Sequence, residues 1–173
     1  MENQDNAQVK SVQQNSQKGG TNNKKLIILI SSIAAGLLII VVAIMLLLPS
    51  PKSVVNKFAS GYKSMNSAKV LSTLHPKIKS EDADEIKDMF KDMKSEKLKI
   101  KKVVVDKDYE KIDDDELEYL TEYLESQYDI SEKSIKEVRK YDLEMTYSED
   151  GEQDETEWSV YVAKVGMKWY VIR

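Results

Sequence analysis

Residues 141–172 read YDLEMTYSEDGEQDETEWSVYVAKVGMKWYVI. Tyr141, Leu143, Met145 and Tyr147 alternate with polar residues, the period of a half-buried strand. Asp150-Gly151 is a dipeptide that tolerates the positive φ of a two-residue hairpin turn, so the chain is expected to fold back there. Trp158, Val160 and Val162 then form one face of the returning strand, with Tyr161 and Ala163 on the other. Gly166 turns the chain again, and Met167 to Ile172 supplies a last strand. In a chain with 32% charged residues, a closing run of Trp169, Tyr170, Val171 and Ile172 predicts a terminus that pairs into a sheet.

Working backwards from this meander, Ile135 and Val138 fall outside its alternating register and predict a β-bulge. Residues 113–128, DDDELEYLTEYLESQY, change to helical period: Leu117, Leu120, Leu124 and Tyr128 share a face, and Asp113 with Glu116 has the spacing of a capping box. Residues 97–105, KLKIKKVVV, alternate again and read as one strand. Before it, Ser80 is expected to open a helix whose apolar face is Ile86, Met89, Phe90 and Met93, with Glu81 and Asp82 complementing its dipole. A short turn of helix around Ala68, Val70, Leu71 and Leu74 stops at His75-Pro76. Ser50-Pro51 caps a first amphipathic helix carrying Val54, Val55, Phe58, Tyr62 and Met65.

Residues 26–48, LIILISSIAAGLLIIVVAIMLLL, contain no charged side chain. At about 1.5 Å per residue this run spans roughly 35 Å, enough to cross a hydrocarbon core of about 30 Å. It is longer than a signal-peptide core and exits through Pro49-Ser50-Pro51, a poor cleavage site, so it is expected to be an uncleaved anchor. Ser32 and Gly36 form a small-residue pair of a kind common in membrane helices. Residues 1–25, rich in Gln, Asn, Ser and Gly, cannot bury enough apolar surface to order themselves and are read as a disordered tail. Lys24 and Lys25 abut the anchor on the tail side; Lys52, Lys57, Lys63 and Lys69 follow it, but long domains translocate largely regardless of charge. The expected topology is therefore a cytoplasmic N-terminus and an extracellular domain over 49–173. The first 48 residues hold four of the 26 basic and two of the 30 acidic side chains, which leaves that domain at net −6.

The absence of cysteine excludes disulfides, thiolate chemistry and a lipidated cysteine. A pI near 5.2 and a net charge of −4 supply no electrostatic footprint for nucleic acid. His75 is the only imidazole and precedes a proline at a helix end, where a structural turn is the simpler reading than a general base. An EF-hand register from Asp106 would put Lys111 at the glycine position and Leu117 at the bidentate glutamate, so it fails, and no metal site is expected. Glu149, Asp150, Glu152, Asp154 and Glu155 read as a solvated hairpin tip, and Lys97, Lys99, Lys101 and Lys102 as the outward face of an edge strand, with anionic wall polymer as the alternative.

The order helices, strand, helix, meander resembles the nuclear transport factor 2-like fold, the cystatin-like cone. The resemblance covers about residues 51–173. It is carried by Leu74-His75-Pro76, Lys164-Val165-Gly166 and Lys168-Trp169-Tyr170. It is greatest to membrane-anchored or secreted Gram-positive versions, and it implies an α+β fold with helices on a curved antiparallel sheet. Such domains usually carry a two-stranded hairpin before the third helix, where this sequence shows one strand. The aspartate, tyrosine and protonated acid used by steroid isomerases of this fold map onto no positions here. Tyr62, Trp158, Tyr161 and Trp169 are the candidate pocket aromatics, with core packing as the competing reading. The expectation is a non-catalytic binding or interaction domain without cofactor, whose partner is a protein or a second copy. The alternatives are a bitopic scaffold subunit of a secretion or conjugation machine, similar in layout, and an isomerase or hydrolase using the cone's pocket.

Overall fold

A computed structural model describes residues 48–172. The expected tail (1–25) and the candidate anchor up to Leu47 lie outside the described residues, among which no helix is long and apolar enough to cross a membrane.

The hairpin forms where Asp150-Gly151 predicts it. Both residues have positive φ, 48° and 97°, and Glu149 faces Glu152 across the turn. Two positive φ values match the twist of the flanking strands, which is why this dipeptide is suited to the position. The paired strands are long: β2 spans Ile135–Glu149 and β3 spans Glu152–Val165. The expected bulge is present, with a register shift between Ile135 and Glu137. On one side β1 (Lys99–Val105) pairs with β2, and on the other β4 (Lys168–Val171) pairs with β3 after a turn at Gly166, φ 64°. The result is a four-stranded antiparallel sheet of order β1-β2-β3-β4, curled into a half-barrel with helices packed on it. The last strand is shorter than expected, because Met167 belongs to the exposed turn.

Among the described residues four α-helices accompany the sheet: α1 (Pro51–Lys63), α2 (Ser67–Leu71), α3 (Pro76–Ser95) and α4 (Asp114–Tyr128). Ser50 caps α1 through the Ser53 amide, as its place before Pro51 predicts. Val54, Val55, Phe58 and Ala59 of α1 are buried, and this helix touches all four strands. α2 packs tightly against it: a Cβ at Gly61 would lie 2.7 Å from Val70 Cγ2 and 3.0 Å from the Val70 amide nitrogen.

Two local expectations are corrected. α3 begins at Pro76 and not at Ser80, since Pro76 takes the first helical position and His75 acts as N-cap. His75-Pro76 therefore ends one segment and starts the next, and Ile78, inside the new first turn, is buried. The capping box on α4 is half made. Asp113 accepts from the Glu116 amide at 2.8 Å, but the Glu116 carboxylate leaves the helix end for the Tyr161 hydroxyl at 2.5 Å.

β4 is held on both sides. The Ile172 amide donates to Tyr161 O (3.0 Å), the Val171 amide donates to Thr73 O (2.9 Å), and Val171 O accepts from the His75 amide (3.3 Å). Leu74 and Val171 form a parallel bridge. A segment that closes the sequence is thus clamped between β3 and the α2–α3 connection, and the burial of Val171 and Ile172 follows.

Candidate functional site

Strand pairing decides which of the four candidate aromatics can meet. Tyr141 faces Val160, Leu143 faces Trp158, and Val162 faces Val171, so these side chains share one face of the sheet. On that face Trp158 approaches Tyr62 of α1, with ring centroids 6.0 Å apart. Tyr62 is also 4.9 Å from Phe58 and 5.2 Å from Phe90. These rings fill the space between α1, α3 and β3 with edge and tilted contacts. Burial raises the pKa of the Tyr62 phenol, whose hydroxyl donates to the Met89 sulfur at 4.0 Å.

Tyr161 and Trp169 lie elsewhere. Tyr161 is on the opposite face of β3 and donates to Glu116 of α4. Trp169 lies beneath the guanidinium of Arg139, 5.0 Å from its ring centroid, with Lys164 Nζ at 5.9 Å. Arg139 also stacks on Tyr109 at 4.1 Å, while Glu137 Oε1 accepts from its Nε at 2.7 Å and lies 2.6 Å from its terminal nitrogen. A planar, permanently charged group suits such a sandwich better than lysine does.

The Tyr109–Arg139–Trp169 stack is the feature that sequence reading missed. It fastens the segment between β1 and α4 across the end of the sheet. That segment is further held by a two-way backbone bridge between Glu110 and Lys140 (2.9 and 3.1 Å) and by Lys52, whose ammonium reaches Asp106 O (2.9 Å) and Lys107 O (2.5 Å). This bridge continues the line of β1 along β2 after a break at residues 106–109. One signal was available: Arg139 and Arg173 are the only arginines among 26 basic residues.

His75 is committed to backbone structure. Its Nδ1 accepts from the Lys77 amide at 3.3 Å, and its ring meets Tyr170 edge-on at 5.1 Å. Burial first, and the Lys77 charge second, lower its pKa, so the neutral ring that can cap the helix is favoured.

Two surface cavities lie along the sheet. The first, about 390 Å³, is bordered by Asp106, Asp142, Glu144, Glu157, Trp158 and Ser159, and Ser159 Oγ donates to Asp142 Oδ1 at 2.6 Å. Its carboxylates are spread over β2, β3 and the residue that follows β1. Among the described residues no group of three or more His, Asp or Glu side chains is arranged to hold a metal ion. The second, about 500 Å³, lies between Lys97, Lys99 and Lys101 and the hairpin residues Ser148, Asp150 and Gln153. Compared with known protein families, curated proteins and solved structures, the chain matches none.

Proposed function

We propose that this chain is a single-pass membrane protein that displays a non-catalytic interaction domain, residues 49–173, on the outer side of the membrane. In this reading the domain is a nuclear transport factor 2-like cone of the type found on membrane-anchored Gram-positive proteins. The observation that carries the proposal is the uncharged 23-residue run Leu26 to Leu48, directly followed by an α+β domain without disulfides. Two further observations support an interaction surface over an interior ligand chamber. Tyr62 and Trp158 are packed ring against ring with Phe58 and Phe90, and His75 is engaged as a helix cap.

Topology is directly testable because no native cysteine interferes. Ser126 is exposed on α4 and suits a reporter. In intact cells, Ser126→Cys is expected to react with a membrane-impermeant maleimide, and Ser16→Cys to react only after lysis. Labelling of Ser16→Cys with protection of Ser126→Cys would overturn the orientation, and labelling of neither would place the domain inside the cell.

A further inference from the structure

The two open edges of the sheet carry opposite charge at matching heights. β1 is the end strand and, among the described residues, has a strand partner only in β2. Its first half and the turn leading into it are basic, with Lys97 before the strand and Lys99, Lys101 and Lys102 within it. Among the described residues Lys97, Lys99 and Lys101 have no ion-pair partner, and Lys102 has a loose one in Glu144 at 3.9 Å. The other open edge belongs to β3. β4 covers that strand only from Val162 to Val165, so Glu152 to Val160 has β2 on one side and no strand on the other among the described residues. Residues 152–157 are exposed throughout, and the chain has no basic residue between Lys140 and Lys164.

Register makes the complementarity specific. Through their common partners in β2, Lys99 is level with Gln153, Ile100 with Asp154, Lys102 with Glu155, and Val104 with Glu157. Lys99 and Lys102 also share a face with Glu155 and Glu157, because residues directly opposite each other point to the same side. A second copy set edge to edge at the same height would bring its acidic β3 edge beside the lysines of β1. Both strands are antiparallel to β2 and hence parallel to each other, an arrangement that separate chains can adopt without any crossover.

We infer that β1 of one copy docks against the Glu152–Glu157 edge of β3 in a second copy, extending the sheet from chain to chain. Like edges repel: lysine faces lysine in a β1–β1 contact, and carboxylate faces carboxylate in a β3–β3 contact. The contact joins unlike edges and therefore propagates as a row or a ring instead of closing as a two-fold dimer. The Glu155 amide is capped by Asp154 Oδ1 at 2.8 Å, a local bond that pairing exchanges for one between chains. The lysines thus do two things at once, shielding β1 from its own kind and selecting an acidic strand.

This inference rests on the interaction-domain reading and names the partner. Its failure leaves the maleimide topology result untouched, so the two are distinguishable. The test uses full-length chains in mild detergent, each with one cysteine, Lys101→Cys or Thr156→Cys, and a short bis-maleimide. A cross-linked dimer is expected in the mixture of the two and not with either chain alone. Lys99→Glu with Lys102→Glu should weaken association roughly tenfold, as the direct Lys102–Glu155 pair and the diagonal Lys99–Glu155 and Lys102–Glu157 neighbours become repulsive. Mixing that variant with a Glu155→Lys, Glu157→Lys chain should restore the cross-link through the reversed pair. Cross-linking of the Lys101→Cys chain to itself at the level of the mixture would overturn the proposal, as would no cross-link at all. Charge reversal that leaves the cross-link unchanged, or reversal that mixing fails to rescue, would overturn it as well.

Discussion

Removing residues 168–173 deletes β4, and the structure predicts that this unfolds the domain. Val171 and Ile172 are 1% and 3% exposed. Burial of a large aliphatic side chain contributes about 1.5–3 kcal/mol, so their loss costs roughly 3–6 kcal/mol. Three backbone bonds outside the β3–β4 ladder also vanish: Val171 to Thr73, His75 to Val171, and Ile172 to Tyr161. At about 0.5–1.5 kcal/mol each they add roughly 1.5–4.5 kcal/mol. The sum, about 5–10 kcal/mol, is comparable to the whole stability of an ordinary domain, about 5–15 kcal/mol. The loss also falls on the element that ties the sheet to the α2–α3 connection, so no smaller cooperative unit keeps the core covered. Circular dichroism melts of residues 49–173 and 49–167 provide the assay. The longer fragment should melt cooperatively and the shorter should show no cooperative transition. A truncated fragment that melts within a few degrees of its parent would refute the reasoning, and with it the view that this strand is structural and not a free peptide for another protein's sheet.

Two further expectations concern single residues. The pKa of His75 is lowered from 6.5 by burial and by Lys77, so its neutral form contributes stability that is complete above that value and is lost as pH falls through the lower folded one. Thermal melts between pH 7.5 and 5 should therefore show a fall in Tm that His75→Asn, which can cap without titrating, reduces; an equal fall in both proteins would mean that the imidazole is not its source. Gly61→Val should lower stability by about 1–3 kcal/mol or more, because a Cβ there meets the buried Val70 at 2.7 Å, and denaturant titration that shows no shift in midpoint would count against this close packing of α1 on α2.

Features that were legible in the sequence depend on residues within a few positions of one another. Asp150-Gly151 announces its own φ values, Ser50-Pro51 its own cap, and the offset of Ile135 and Val138 its own bulge. Errors arose where a local rule met a distant partner. Glu116 has the right spacing to close a capping box, but it is drawn away by a hydroxyl 45 residues further on. Ser80, followed by Glu81 and Asp82, has the local pattern of a helix start, whereas the turn at His75 that Val171 O and the Lys77 amide hold in place does not show in the local pattern. The Tyr109–Arg139–Trp169 stack joins three segments with no shared periodicity, so only the scarcity of arginine marked it.

The four candidate pocket aromatics divide for a different reason, one that the sequence itself contains. Trp158 and Tyr161 were grouped as linings of one chamber, yet they are three residues apart on a strand. Period two sends side chains an odd number of positions apart to opposite faces. The structure obeys this: Trp158 turns to Tyr62 on the face covered by α1, and Tyr161 turns to Glu116 of α4. The same parity argument, applied to charge, fixes where the lysines and carboxylates of the two sheet edges lie. Lys102 and Glu155 fall on one face and at one height because each pairs with Thr146 of β2, and this follows from the register without any appeal to side-chain conformation. A surface reading of this chain is therefore stronger along its strand edges than in its interior. Backbone pairing determines both height and face at those edges, whereas in the interior the same aromatic residues serve equally well as packing.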